Sequence, residues 1–128
     1  MALLDTCTLL WLAADQASLS EAAVSAISAA RGMLAVSPMS AFEIALKHRR
    51  GKLGLPLGPQ EWFREALATH GIRELPVDTR CAVLAATLPP IHRDPCDRFL
   101  VAAATIHQLP IITPNHHIAR YPGVRTIW

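Results

Sequence analysis

Asp-Pro-Cys-Asp-Arg-Phe-Leu-Val-Ala-Ala-Ala-Thr-Ile-His-Gln-Leu-Pro-Ile-Ile, residues 94–112, sets the architecture. Asp94 followed by Pro95 is a helix-start signal, an N-cap with proline in the first turn. The run Phe99–Ile106 is apolar nearly all round, which predicts a helix buried between neighbours rather than one with a wet face. Ile111-Ile112 then reads as a short buried strand. A buried helix leading into a buried strand is the unit of a parallel sheet covered on both faces.

The rest of the chain repeats that alternation. Leu3-Leu4 reads as a strand, and Thr6–Ala14 as a helix. Ser20 caps a helix running to about Arg31, which Gly32 stops; Met33–Val36 is a second strand. Ser40 is expected to start a helix through Arg50, ended by Gly51. Pro59 opens another through Thr69, ended by Gly71. Ile72–Leu75 is a third strand, Asp78 caps a helix containing Val83, Leu84 and Leu88, and Val124–Ile127 is a candidate fifth strand. The expectation is an α/β fold: a mostly parallel sheet of four to five strands, right-handed crossovers, helices on both faces, and one domain over 1–128.

Composition narrows the class. Hydrophobic residues make up 52% of the chain, enough for a substantial core, and the net charge is only +2. Nucleic-acid contact would therefore need a local basic patch. Three cysteines without Cys-x-x-Cys spacing argue against a disulfide framework and fit a reducing, cytoplasmic setting. No stretch reads as a signal peptide or a membrane span.

Three acids stand out because each follows an apolar stretch: Asp5, Glu43 and Asp97. In an open α/β sheet the strand ends and the helix starts after them share one edge. Carboxylates gathered there repel one another unless a cation sits among them. Oxygen donors of this kind suit Mg2+ or Mn2+. Helix capping offers a competing explanation. Ser40-Ala-Phe-Glu43 has the form of a capping box, and Asp94-Pro-Cys-Asp97 has the same layout. Glu43 also precedes Lys47 by four residues, the favoured order for an ion pair. Capping leaves Asp5 unexplained.

The densest basic cluster is Lys47, His48, Arg49, Arg50 and Lys52. With Arg93 and Arg98 it offers candidate contacts to a nucleic-acid backbone; the cluster reads equally as a solvated helix end, and either Arg93 or Arg98 as a partner for Asp94 or Asp97. His92, His116, His117 and Cys96 fit no common zinc spacing.

These segments, taken together, resemble the PIN-domain ribonucleases, in particular the VapC-like toxins. The matching stretches are Leu-Leu-Asp-Thr (3–6), Leu-Leu-Trp-Leu (9–12), Val-Ser-Pro-Met-Ser-Ala-Phe-Glu-Ile-Ala (36–45) and Gly-Lys-Leu-Gly-Leu-Pro (51–56). Leu-Pro-Pro-Ile-His-Arg-Asp-Pro-Cys-Asp-Arg-Phe-Leu (88–100) and Ala-Arg-Tyr-Pro-Gly-Val-Arg-Thr-Ile-Trp (119–128) complete them. The resemblance implies a PIN-like three-layer sandwich and makes Asp5, Glu43 and Asp97 the catalytic and metal-site acids. It adds a secondary polar site at Thr6, Thr113 and Asn115. It also implies RNA as substrate, a cognate antitoxin as partner, and a homodimer, for which Trp11 and Leu12 are candidate surface. Two departures are Cys7, where His is common, and Cys96, where Phe is common. A neutral Asn115 at the fourth position implies one metal rather than two. The rivals are a haloacid-dehalogenase-type hydrolase, disfavoured by Cys at position 7, and a catalytically weak PIN-fold module that acts by binding.

Overall fold

The strands are short and mostly apolar. They are β1 (Ala2–Leu4), β2 (Leu34–Val36), β3 (Arg73–Glu74), β4 (Ile111–Ile112) and β5 (Thr126–Ile127). The computed structural model, which describes residues 1–128, joins them in one sheet of order β3-β2-β1-β4-β5 with every pair parallel. Leu3 stands opposite both Ala35 and Ile111, and Leu4 opposite Ile112.

Side-chain alternation along these strands divides the core in two. Ala2, Leu4, Leu34, Val36 and Ile112 point to one face. Leu3, Ala35 and Ile111 point to the other. The first face is covered by α1 (Thr6–Ala14), α2 (Glu21–Ala29), α3 (Pro38–Arg49) and α4 (Pro59–His70), through residues such as Leu9, Ile44, Trp62 and Phe63. The second is covered by α5 (Thr79–Thr87), α6 (Pro95–His107) and α7 (His116–Ala119), through Cys81, Leu100, Val101 and Ile118. Burying each Leu or Ile of the central strands contributes about 1.5–3 kcal/mol. The edge strand β3 carries exposed Arg73 and Glu74, charges that discourage another chain from pairing with it. This is the three-layer α/β arrangement expected from the alternation.

The chain reverses its direction of winding between β1 and β4, which makes their carboxyl ends the topological switch point of the sheet. Asp5 directly follows β1 and Thr113 directly follows β4, so the sequence delivers both to that crevice.

Capping differs from expectation in three places. Helix α3 begins at Pro38, with Ser37 as N-cap accepting from the Met39 N–H at 3.1 Å. Proline's fixed φ and missing N–H suit it to the first turn, so Pro38 draws the start ahead of Ser40. Ser40 is instead buried inside the helix, where its oxygen accepts the Thr6 hydroxyl at 2.9 Å. The capping box over 40–43 is therefore absent, and Glu43 sits beyond the first turn. Asp5, conversely, does cap a helix: its Oδ1 accepts the Thr6 N–H at 2.7 Å at the start of α1. The short α7, capped by Asn115, has no counterpart among the expected helices. Ser37→Ala should lower stability by about 1 kcal/mol in denaturant unfolding, the usual worth of such a cap. No change would contradict the revised start of α3.

Leu12 belongs to the core. Trp11 is half-buried, its ring centroid 5.5 Å from that of Trp128. No helix is long and apolar enough to cross a membrane.

Candidate metal centre at the carboxyl edge of the sheet

Asp5, Glu43 and Asp97 come together at the switch point, lining one cleft of about 220 Å³ with Thr6, Lys47, His92, Asp94 and Asn115. A second, tighter crevice is lined by the same three acids with Ser37, Ser40 and Cys96. A larger groove of about 460 Å³, lined by residues including Leu12, Ile27, Gly32 and Gly71, gathers no acids.

Each acid is held differently. Asp5 is buried; Oδ1 is taken by the Thr6 N–H, and Oδ2 accepts the Thr113 hydroxyl at 2.6 Å. Thr113, rather than the Thr6 hydroxyl, therefore orients Asp5. The Cys7 thiol lies 3.8 Å from the same Oδ2. Glu43 projects from α3 and pairs with Lys47 at 3.1 Å, the i,i+4 contact read from the sequence. Asp97 stands in the first turn of α6, whose cap is Asp94, with Oδ1 accepting the Cys96 N–H at 2.9 Å. Asp97 makes no reciprocal capping bond. Its Oδ2 meets Asn115 Nδ2 and His92 Nε2, each at 3.1 Å. Asn115 thus serves twice, since its Oδ1 caps α7 by accepting the His117 N–H.

The electrostatics follow from this crowding. Burial pushes the Asp5 carboxyl above its ordinary range; hydrogen bonds from Thr113 and Thr6 oppose this, and the charge of Glu43 adds to it. Burial, reinforced by Asp94, Asp5 and Glu43, pushes Asp97 up to about 7. The thiols of Cys7 and Cys96 are each pushed up to about 12, first by burial and then by the surrounding carboxylates. Without a cation both are protonated near neutrality, so neither is a free thiolate nucleophile.

A hard divalent cation fits this donor set. Buried carboxylates that repel one another are stabilised in their charged form by donated hydrogen bonds and by positive charge; the hydrogen bonds leave Asp5 and Asp97 raised, and Lys47, paired with Glu43, stands on the rim. The pH dependence follows. With the Asp97 pKa at about 7 in the folded chain and 3.8 as the ordinary value, its contribution to stability is fully present below pH 3.8 and is lost as pH rises through about 7. A bound cation holds Asp97 ionised, so cation binding releases a proton below pH 7 and tightens as pH rises to about that value. Thermal unfolding with and without Mn2+ between pH 5 and 8 checks this: the stabilisation by Mn2+ should grow with pH. A pH-independent increment would contradict it.

The cationic residues separate into two groups. Arg49 and Arg50 are exposed at the end of α3, and Arg93 is exposed beside the cleft. Arg98 is committed elsewhere and is withdrawn as an RNA contact. Its guanidinium donates to the carbonyls of Ala85 (2.9 Å), Leu88 (2.7 Å) and Pro89 (3.0 Å), closing the carboxyl end of α5. It bonds neither Asp94 nor Asp97. His92 fits no zinc spacing, yet it lies in the cleft, with Nε2 and oxygens of Asp94 and Asp97 within 4.8 Å of one another. Its closeness in sequence to Asp94 and Asp97 is the one signal of this in the chain.

A doubly wound parallel sheet with clustered acids at its switch point defines the class, and sequence comparison agrees. The chain matches the PIN domain model over residues 2–124, and it belongs to the PIN-domain family. It is similar to a chain of a toxin–antitoxin complex from Klebsiella pneumoniae, at 25% identity and TM-score 0.66, covering 97% of this chain and 95% of that one. VapBC2 from Rickettsia felis, bound to a DNA fragment from its promoter, shares the fold at TM-score 0.71 and 12% identity, covering 98% and 96%. DNA-bound VapBC from Salmonella typhimurium does so at TM-score 0.69 and 18% identity, covering 98% and 97%. No match to a curated protein was found.

Proposed function

We propose that this chain, as a single PIN domain over 1–128, is an endoribonuclease dependent on Mg2+ or Mn2+ and the toxin half of a toxin–antitoxin pair. One observation carries the catalytic reading: Asp5, Glu43 and Asp97, from three distant segments, share a small cleft in which two of them are held above the ordinary carboxylate range. A bound cation would supply a Lewis acid for the phosphoryl oxygen and lower the pKa of a water. The protein's own groups prepare that chemistry. Asp5 and Asp97 would hold the cation, with Glu43 assisting directly or through a water. Thr113 fixes the rotamer of Asp5, and Asn115 that of Asp97. Thr6 ties α1 to α3 through Ser40, keeping Asp5 and Glu43 in register.

Lys47 on the rim, with Arg49, Arg50 and Arg93, supplies positive charge for the RNA backbone. Binding of a catalytically silenced chain to single-stranded RNA, measured against salt, should show it. Replacing both Arg49 and Arg50 with Ala should reduce the slope of log K against log salt by roughly 0.7 for each phosphate left without its cationic partner. An unchanged slope would assign these residues to solvation alone.

The toxin role rests on the likeness to the Klebsiella toxin–antitoxin complex, which extends over nearly the whole of both chains. On this reading the chain works in the cytoplasm, is held inactive by a cognate antitoxin protein, and pairs as a homodimer. Metal-dependent cleavage of RNA by the purified chain tests the enzymatic part; co-purification with the product of an adjacent gene, and loss of cleavage in that complex, test the rest.

A further inference from the structure

His92 faces the acids from the loop between α5 and α6, and the mechanism above makes no use of it. Its Nε2 lies 3.1 Å from Asp97 Oδ2, and it forms with Asp94 and Asp97 a set of three donors within 4.8 Å of one another. The loop is fixed independently of that contact. The His92 backbone N–H donates to the Tyr121 hydroxyl at 3.2 Å, and Arg98 Nη1 donates to the His92 backbone carbonyl at 3.4 Å. The imidazole lies flat on that of His117, centroids 4.3 Å apart and planes 6° apart. A loop anchored through its backbone and ring face needs no side-chain bond to Asp97 to stay in place. Nε2 is therefore a pre-positioned donor aimed into an acidic cleft.

We propose that His92 is an imidazole ligand to the divalent cation at Asp97, which makes this centre a mixed nitrogen and oxygen site that selects Mn2+ over Mg2+. The inference rests on the metal-dependent reading above and deepens it. The spacing is that of neighbouring ligands on one ion: donors about 2.1 Å from an octahedral metal lie roughly 3.0 Å apart. A neutral imidazole favours Mn2+ and later transition ions, whereas Mg2+ prefers oxygen and water. Asp94 can join, because only its Oδ1 is engaged by the helix cap. These two residues give the cation donors where Asn115 contributes no charge.

The test is pulsed electron paramagnetic resonance of the full chain loaded with Mn2+ alone. The expected spectrum shows coupling to a directly bound ¹⁴N, absent from both His92→Gln and His92→Ala. Those variants should bind Mn2+ about tenfold more weakly while Mg2+ binding, read by competition, stays unchanged. Bound Mn2+ without nitrogen coupling in the natural chain would overturn the imidazole ligand and leave the carboxylate site standing. Coupling that persists in both variants would overturn it equally. Failure of Mn2+ to bind at all would overturn the metal-dependent reading along with it. The natural chain's spectrum decides the matter even if a variant folds poorly.

Discussion

Replacing Asp97 with Asn is expected to reduce metal-dependent RNA cleavage by roughly 10³-fold, about 4 kcal/mol in the activation barrier, while making the metal-free chain more stable. The two effects have one origin. Burial, reinforced by the charges of Asp94, Asp5 and Glu43, pushes the Asp97 pKa to about 7. Ionising it costs the folded state free energy that the unfolded chain does not spend. Asparagine keeps the shape and can still bond Asn115, but it carries no charge to repel its neighbours or to hold a cation. The stability gain should therefore be largest above pH 7 and fade as pH falls through 3.8, below which the natural carboxyl becomes protonated in both states. Urea unfolding at pH 4 and pH 8, paired with a cleavage assay, reads both. A variant that loses stability at pH 8 would mean that Asp97 serves chiefly as a structural hydrogen-bond partner.

Arg98 stands next to Asp97 in sequence but should behave in the opposite way. Arg98→Ala is expected to cost roughly 3 kcal/mol of stability, since charge-assisted hydrogen bonds contribute about 1.5–3 kcal/mol each and the contacts here are shared among several carbonyls. The last carbonyls of α5 lack partners within the helix, and this one guanidinium donates to Ala85 near its end and to Leu88 and Pro89 just beyond it. Arg98→Lys should recover little of the loss, because a single ammonium cannot reproduce the planar fork. The salt dependence of RNA binding should be unchanged in whatever fraction folds. A reduced salt slope with full stability would return Arg98 to the RNA-contacting set.

The layout of the fold is legible in the sequence because its signals are local. Ser20, Asp78 and Asp94 cap the helices that their positions predict. Gly32, Gly51 and Gly71 follow helix ends with φ of +81°, +70° and +62°, a conformation glycine adopts without penalty. The start of α3 is harder to read because Ser37 and Ser40 compete as caps, and Pro38 decides between them. Helix α7, only four residues long, carries too little apolar pattern to register. Within the site the residue types are readable, but their partners are not. Thr113 reaches Asp5 across 108 residues, and Tyr121 fixes the His92 loop across 29. The first follows from strand order, β1 beside β4, which no local pattern encodes. Asp5, the acid that capping left unexplained, caps a helix, and Glu43 does not, yet both face the cleft.

Cleavage of RNA by the purified chain with added Mn2+ or Mg2+, with excess chelator, and by the Asp5→Asn variant addresses the central claim most directly. Asp5 touches the cleft through an anchored carboxylate and can be neutralised without changing its size. The expected result is cleavage that requires the cation, stops with chelator, and disappears in Asp5→Asn while the variant remains folded. Cleavage that continues in chelator, or that survives in a folded Asp5→Asn chain, would contradict the account.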